Sequence, residues 1–186
     1  MADFFEKLKE GAEDVWDSAK KTFERDAADE NAALSTYHDL FSWADGSMLA
    51  LPYQEKEISE KDKQMQTLAV MLVKDKNLVA PCAGTVVKIE PAENTIILKT
   101  GPYDELGIKV CVGSVSFEKD ARILVSAGQQ VEKGDTLVHF EHPIEAKSKL
   151  FVLSPETYAM AKSALMPAAK PGAIHHGELI ITSAKA

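Results

Sequence analysis

The chain has 186 residues, 45% of them hydrophobic and 27% charged, with a formal net charge of −8. This length suffices for one full-sized hydrophobic core, or for a core with a small appendage. The acidic balance offers no basic field to displace counterions, so nucleic acid is not an expected partner, and no run of about 18 apolar residues is present to span a membrane.

The start, Met1-Ala2-Asp3-Phe4-Phe5, lacks the basic region and long apolar stretch of a secretory signal. Apolar residues then recur at Phe5, Leu8, Ala12, Val15, Trp16, Ala19 and Phe23. Three-to-four spacing of this kind predicts an amphipathic helix over residues 2–25, with Asp3 placed to cap it. Its aromatic stripe (Phe5, Leu8, Val15, Trp16, Phe23) suits packing on the rest of its own chain, or docking on a protein partner or on a second copy of the chain. Its polar face mixes acids and lysines, which argues against a membrane-surface helix. A second helical stretch is expected from Ala28 to Trp43, carrying Ala32, Leu34, Tyr37, Leu40 and Phe41, and Asp45-Gly46 supplies a turn after it. Residues 49–66 are polar and interrupted by Pro52, so they read as a linker, or as a short helix after Ser59. The expected organisation is a helical segment and linker over 1–66, a β domain over 67–154, and a C-terminal region over 155–186.

From Leu68 the period changes. Leu68–Val73, Leu78–Pro81, Gly84–Ile89, Thr95–Lys99, Ile108–Val112, Val115–Phe117, Ile123–Val125 and Gly134–Phe140 are short apolar or alternating runs. Lys74–Asn77, Pro91, Asn94, Gly101-Pro102 and Gly128 punctuate them, which predicts a mainly β barrel or sandwich. Beyond it, Pro155–Met166 reads as a short helix with Tyr158, Ala161 and Leu165 on one face. Pro167–Gly172 reads as a linker and Leu179–Thr182 as a closing strand. Cys82 and Cys111 are too few for a disulfide framework and sit in strand-like contexts, where they read as reduced thiols; a cytoplasmic setting is expected.

Two segments are more specific: Ala80-Pro81-Cys82-Ala83-Gly84-Thr85-Val86, and Gly128 to Leu137, which reads GQQVEKGDTL. Paired segments like these occur in small barrels of interlocked hairpins, among them lipoyl and biotinyl domains, lysostaphin-type zinc peptidases and sugar-phosphotransferase IIA domains. A lipoyl-type reading points to Lys147 in Glu145-Ala146-Lys147. A zinc-peptidase reading points to His139, Glu141 and His142, but three-residue spacing on a strand puts the two histidines on opposite faces. Val112-Gly113-Ser114 also bears a faint likeness to phosphatidylserine decarboxylases, although Glu141-His142-Pro143 stands where their self-cleaving segment belongs.

The longest continuous likeness is to the glucose-type IIA domain of the bacterial phosphotransferase system, from about Val70 to Ser154. Asn77–Ile89, Ile108–Gly113, Ala127–Phe140, Pro143 and Glu145–Ser148 carry it in order. The chain resembles that family, whose fold is a barrel-sandwich hybrid built on a duplicated hybrid motif. The resemblance implies a phosphocarrier in which one histidine takes the phosphoryl group and a second stabilises its transfer. Here Cys111, in Val110-Cys111-Val112-Gly113, stands at the first position, and Asn94 or Thr95 at the second.

Without an imidazole pair, Cys111 is the remaining candidate nucleophile, with Lys109 on the same strand face to favour its thiolate. His38 and the His175-His176 pair after Pro171-Gly172 read as surface residues, although the pair could reach a metal. No phosphate loop, dinucleotide fingerprint or clustered metal motif occurs, so no cofactor or metal is expected. The expected function is a non-catalytic interaction or scaffold module. A Cys111 phosphocarrier and, behind it, a zinc peptidase-like barrel are the alternatives.

Overall fold

The computed structural model describes residues 39–49, 66–101, 103–111, 115–153 and 165–183, all within the unit that begins at Tyr37. The helix expected over residues 2–25, with its docking stripe, and His38 lie outside the described residues.

The architecture is mainly β, in two open sheets. Two strands carry the larger one: β3, Gln66–Val79, and β9, Thr136–Val152. Around them lie β2 (Gly46–Met48), β4 (Gly84–Glu90), β5 (Thr95–Thr100), β6 (Tyr103–Val110), β8 (Gln130–Val131) and β11 (Gly172–Ile174). The order across the sheet is β11-β2-β3-β9-β6-β5-β4-β8, and β7 (Ala121–Ile123) pairs with β9 off this path. A smaller sheet joins β1 (Leu40–Phe41), β12 (Leu179–Ser183) and β10 (Leu165–Pro167) in the order β1-β12-β10. One helical turn, α1, spans Phe117–Asp120.

The turn expected at Lys74–Asn77 is instead an irregularity inside β3. Asp75 pairs with Ile144 while Asn77 pairs with His139, so β9 carries extra residues opposite Lys76. Pro143, which has no N–H to give to a ladder, sits within that excess. On the β3 side the Asp75 carboxylate takes up the backbone N–H groups of Lys76 (2.6 Å) and Asn77 (3.1 Å), satisfying donors that the ladder drops.

Three other expectations are corrected. The helix expected from Ala28 to Trp43 does not include Leu40–Phe41, which pair as a strand with β12, and Gly46–Met48 pairs with both β3 and β11; residues 28–38 lie outside the described residues. Leu40, Trp43 and Ala44 are fully buried, and backbone bonds run from this segment to distant ones, such as Val79 N–H to Trp43 O (2.8 Å) and Phe41 N–H to Pro81 O (3.0 Å). Leu165 and Met166, expected at a helix end, and Gly172, expected in a linker, belong to strands. Finally, Phe117 opens a helical turn rather than closing a strand; its buried ring meets Phe140 edge-on at 5.9 Å.

The core gathers Trp43, Met71, Leu78, Ile96, Leu98, Leu106, Ile108, Phe117, Phe140 and Phe151. A buried polar relay crosses it: Trp43 Nε1 donates to Ser148 Oγ (2.9 Å), which donates to the Lys109 carbonyl (3.0 Å). The relay ties the β1–β2 connection to β9 and β6.

Candidate functional site

The positions that the resemblance singles out meet on β5, β6 and β9. In the antiparallel ladders Thr95 pairs with Lys109, and Lys109 with Lys149, so the three form one row across three strands. Paired residues of a ladder share a face, and Cys111 follows on that face two residues after Lys109. The Cys111 N–H donates to Lys147 O (2.8 Å), which sets Lys147 beside it.

Two lysines are buried here, Lys109 at 6% exposure and Lys149 at 4%. Like charges directly opposite one another repel, and buried charge requires partners. Lys109 Nζ lies 3.7 Å from Glu93 Oε2, at the edge of the row. Neither lysine is without a partner. Cys111 itself is half-buried and unbridged. Lys109 and Cys111 lie two residues apart along the chain, and Lys149 and Glu93, which the sequence reading did not single out, lie beside Lys109. The signal was present in Lys147-Ser148-Lys149, whose alternation puts both lysines on one face. Only the β6–β9 register shows which residues they face.

Asn94 and Thr95 are otherwise engaged. Asn94 is 1% exposed and adopts the left-handed conformation (φ 50°, ψ 44°) that closes the turn after Pro91–Glu93. Asparagine tolerates this region better than most residues. Its Nδ2 donates to Val115 O (2.8 Å), and its Oδ1 accepts the Phe117 N–H (2.8 Å). Thr95 Oγ1 donates to the Glu93 carbonyl (2.9 Å). The Asn94 side chain holds the loop that carries Phe117, and the Thr95 hydroxyl bonds back onto the Pro91–Glu93 turn.

The other sequence candidates disperse. Lys147 lies mid-strand opposite Leu72, not on the hairpin tip that a lipoyl-type lysine needs. His139 Nδ1 is 2.8 Å from Asn77 Oδ1, His142 is exposed, and neither joins a group of three ligand side chains among the described residues. Cys82 is buried, and burial pushes its thiol up to about 11, although a contact with Thr100 Oγ1 (3.6 Å) acts in the opposite direction.

The profile of the family described as phosphoenolpyruvate-dependent sugar phosphotransferase system, EIIA 1, matches residues 38–155. The chain belongs to this family. The match begins well ahead of Val70, where the resemblance in the sequence sets in, and so takes in β1 and β2. Among seven matching solved chains is the glucose permease IIA from Mycoplasma capricolum, at 18% identity and a TM-score of 0.59. That alignment covers 77% of this chain and 93% of the other, and identity this low speaks for the fold alone. Curated protein sequences give no match. Among the described residues no helix is long and apolar enough to cross a membrane.

Proposed function

We propose that this IIA-family domain has kept its β scaffold and given up phosphoryl transfer, and that it works as a protein-binding module. The observation that supports this most is Asn94. At the position where the resemblance calls for a second imidazole stands a side chain with no titratable proton, buried, and bonded at both its donor and its acceptor. A transfer that needs two cooperating imidazoles has neither. IIA domains of phosphotransferase systems act on protein partners, and a barrel that has lost its chemistry can retain that docking role. The stripe Phe5, Leu8, Val15, Trp16 and Phe23 is the proposed docking segment, and a reducing cytoplasmic setting fits two unbridged cysteines.

One observation favours a second reading. Cys111 is half-buried beside Lys109, Lys147 and Lys149, and nearby cations favour a thiolate. Intact mass after incubation with phosphoenolpyruvate and the general phosphotransferase proteins separates the two. The module reading expects no phosphoryl adduct; an adduct that disappears in Cys111→Ser establishes a cysteine phosphocarrier instead.

A further inference from the structure

Away from the β5–β6–β9 face, three distant segments bring metal-ligating side chains together. Asp45 lies in the bend before β2, Asp75 at the irregularity in β3, and His175 and His176 in the turn between β11 and β12. Ligand atoms of Asp45, Asp75 and His176 all lie within 4.8 Å of one another. His176 Nδ1 is 2.8 Å from Asp45 Oδ1 and 4.0 Å from Asp75 Oδ2, and His175 Nδ1 is 3.7 Å from Asp45 Oδ1. We infer that Asp45, Asp75 and His176, with His175 as the fourth ligand, form a binding site for a divalent transition ion of the zinc class.

The distances suit such an ion. Tetrahedral coordination with metal bonds of about 2.0–2.1 Å sets neighbouring ligand atoms about 3.3 Å apart. The measured separations straddle that value, so sub-ångström to roughly ångström shifts of exposed side chains complete the shell. An ion replaces the proton shared by His176 Nδ1 and Asp45 Oδ1 and draws Asp75 inward. Two carboxylates balance the double charge. Two imidazoles select a borderline transition ion over calcium or magnesium, which prefer all-oxygen shells.

The backbone, rather than the side chains, holds these segments together. Ser42 N–H donates to Glu178 O (2.7 Å), Gly177 N–H to Ser42 O (2.9 Å) and Lys74 N–H to Asp45 O (2.8 Å). The carboxylates are oriented as ligating carboxylates usually are, by outer-shell donors. Asp75 Oδ2 accepts the Asp45 N–H (2.9 Å), its Oδ1 accepts those of Lys76 and Asn77, and Asp45 Oδ1 accepts the His176 N–H (2.7 Å). An ion here fastens the β11–β12 turn to β3 through the β1–β2 connection. It neither uses nor requires the Cys111 face.

The test is titration of the chelator-stripped full-length chain with Zn2+ by calorimetry and with Co2+ by visible absorption. One ion per chain is expected, with the visible bands of a low-coordinate Co2+ site and a raised melting temperature with Zn2+. His175→Ala/His176→Ala removes two exposed rings, so folding should survive. This variant should weaken binding at least about tenfold and abolish the visible bands and the melting shift. His142→Ala, outside the site, should bind as the parent does. Absence of stoichiometric binding, undiminished binding by the double variant, or loss in His142→Ala would overturn the assignment.

Discussion

Asn94 supplies one donor and one acceptor to two backbone groups two residues apart, Val115 O and Phe117 N, from a left-handed turn position. Asn94→Ala removes both bonds and leaves the Phe117 N–H buried without a partner, at a cost of about 1–3 kcal/mol; urea unfolding should show the lowered midpoint. The two cysteines should separate by reactivity. Cys111 is half-buried, whereas the Cys82 thiol is buried and raised from 9.0 to about 11. Iodoacetamide on the folded chain at neutral pH should label Cys111 alone, as peptide mass mapping can read. The raised Cys82 value also has a consequence for stability. Its thiol stays protonated in the fold while the unfolded chain ionises near 9.0, so its contribution is complete below that pH and is lost as pH rises towards 11. Alkaline unfolding curves should show this loss, on the order of 2 kcal/mol, and Cys82→Ala should flatten it. At this scale the sequence was informative about residue type at the family's positions. It gave no sign that Asn94 is bonded at both ends, because Val115 and Phe117 reach it only through the tertiary fold.

At the level of elements, the strands of middle length were legible, the two longest were read only in part, and the shortest were not. Leu68–Val73, Gly84–Ile89 and Thr95–Lys99 have enough apolar or alternating residues to announce themselves. Leu40–Phe41 and Gly46–Met48 are two and three residues long, too short to display a period of two. Tyr37, Leu40 and Phe41 fit helical spacing equally well, so the strand assignment depended on partners at Leu179 and Val73 that no local pattern reveals. Lys74–Asn77 carries turn chemistry, yet Asp75 uses that chemistry to bend one strand rather than to end it. Two substitutions test how the elements interlock. Gly107 pairs with Phe151, and a Cβ at Gly107 would overlap the Phe151 ring. Gly107→Ala should therefore cost about 1–3 kcal/mol through overpacking, measured by thermal unfolding. Ser148→Ala leaves the buried Trp43 Nε1 without its acceptor and should cost a similar amount, with a shift in tryptophan fluorescence that Gly107→Ala does not produce.

Across the whole molecule, the chain belongs to the IIA family, while the proposal that phosphoryl transfer is lost rests on Cys111 and Asn94 or Thr95 at the two positions where the resemblance implies histidine. The fold is kept in full extent, from β1 through β9, and the described residues leave no buried side-chain nitrogen or oxygen without a partner. Thr95, Lys109 and Lys149 form one row across β5, β6 and β9, with the half-buried Cys111 just beyond β6. If residues 2–25 provide the docking element, Phe5→Asp/Trp16→Asp in the full chain should abolish partner capture while leaving the unfolding midpoint of the β domain unchanged.

The most direct test of the central claim is intact mass spectrometry of the full chain after incubation with phosphoenolpyruvate and the general phosphotransferase proteins, at neutral and alkaline pH to preserve labile adducts. A chain that remains at its unmodified mass, beside a histidine-bearing IIA domain that becomes phosphorylated in the same mixture, is the result this account predicts. A single phosphoryl adduct that vanishes in Cys111→Ser would contradict it and make the thiol a phosphoryl carrier.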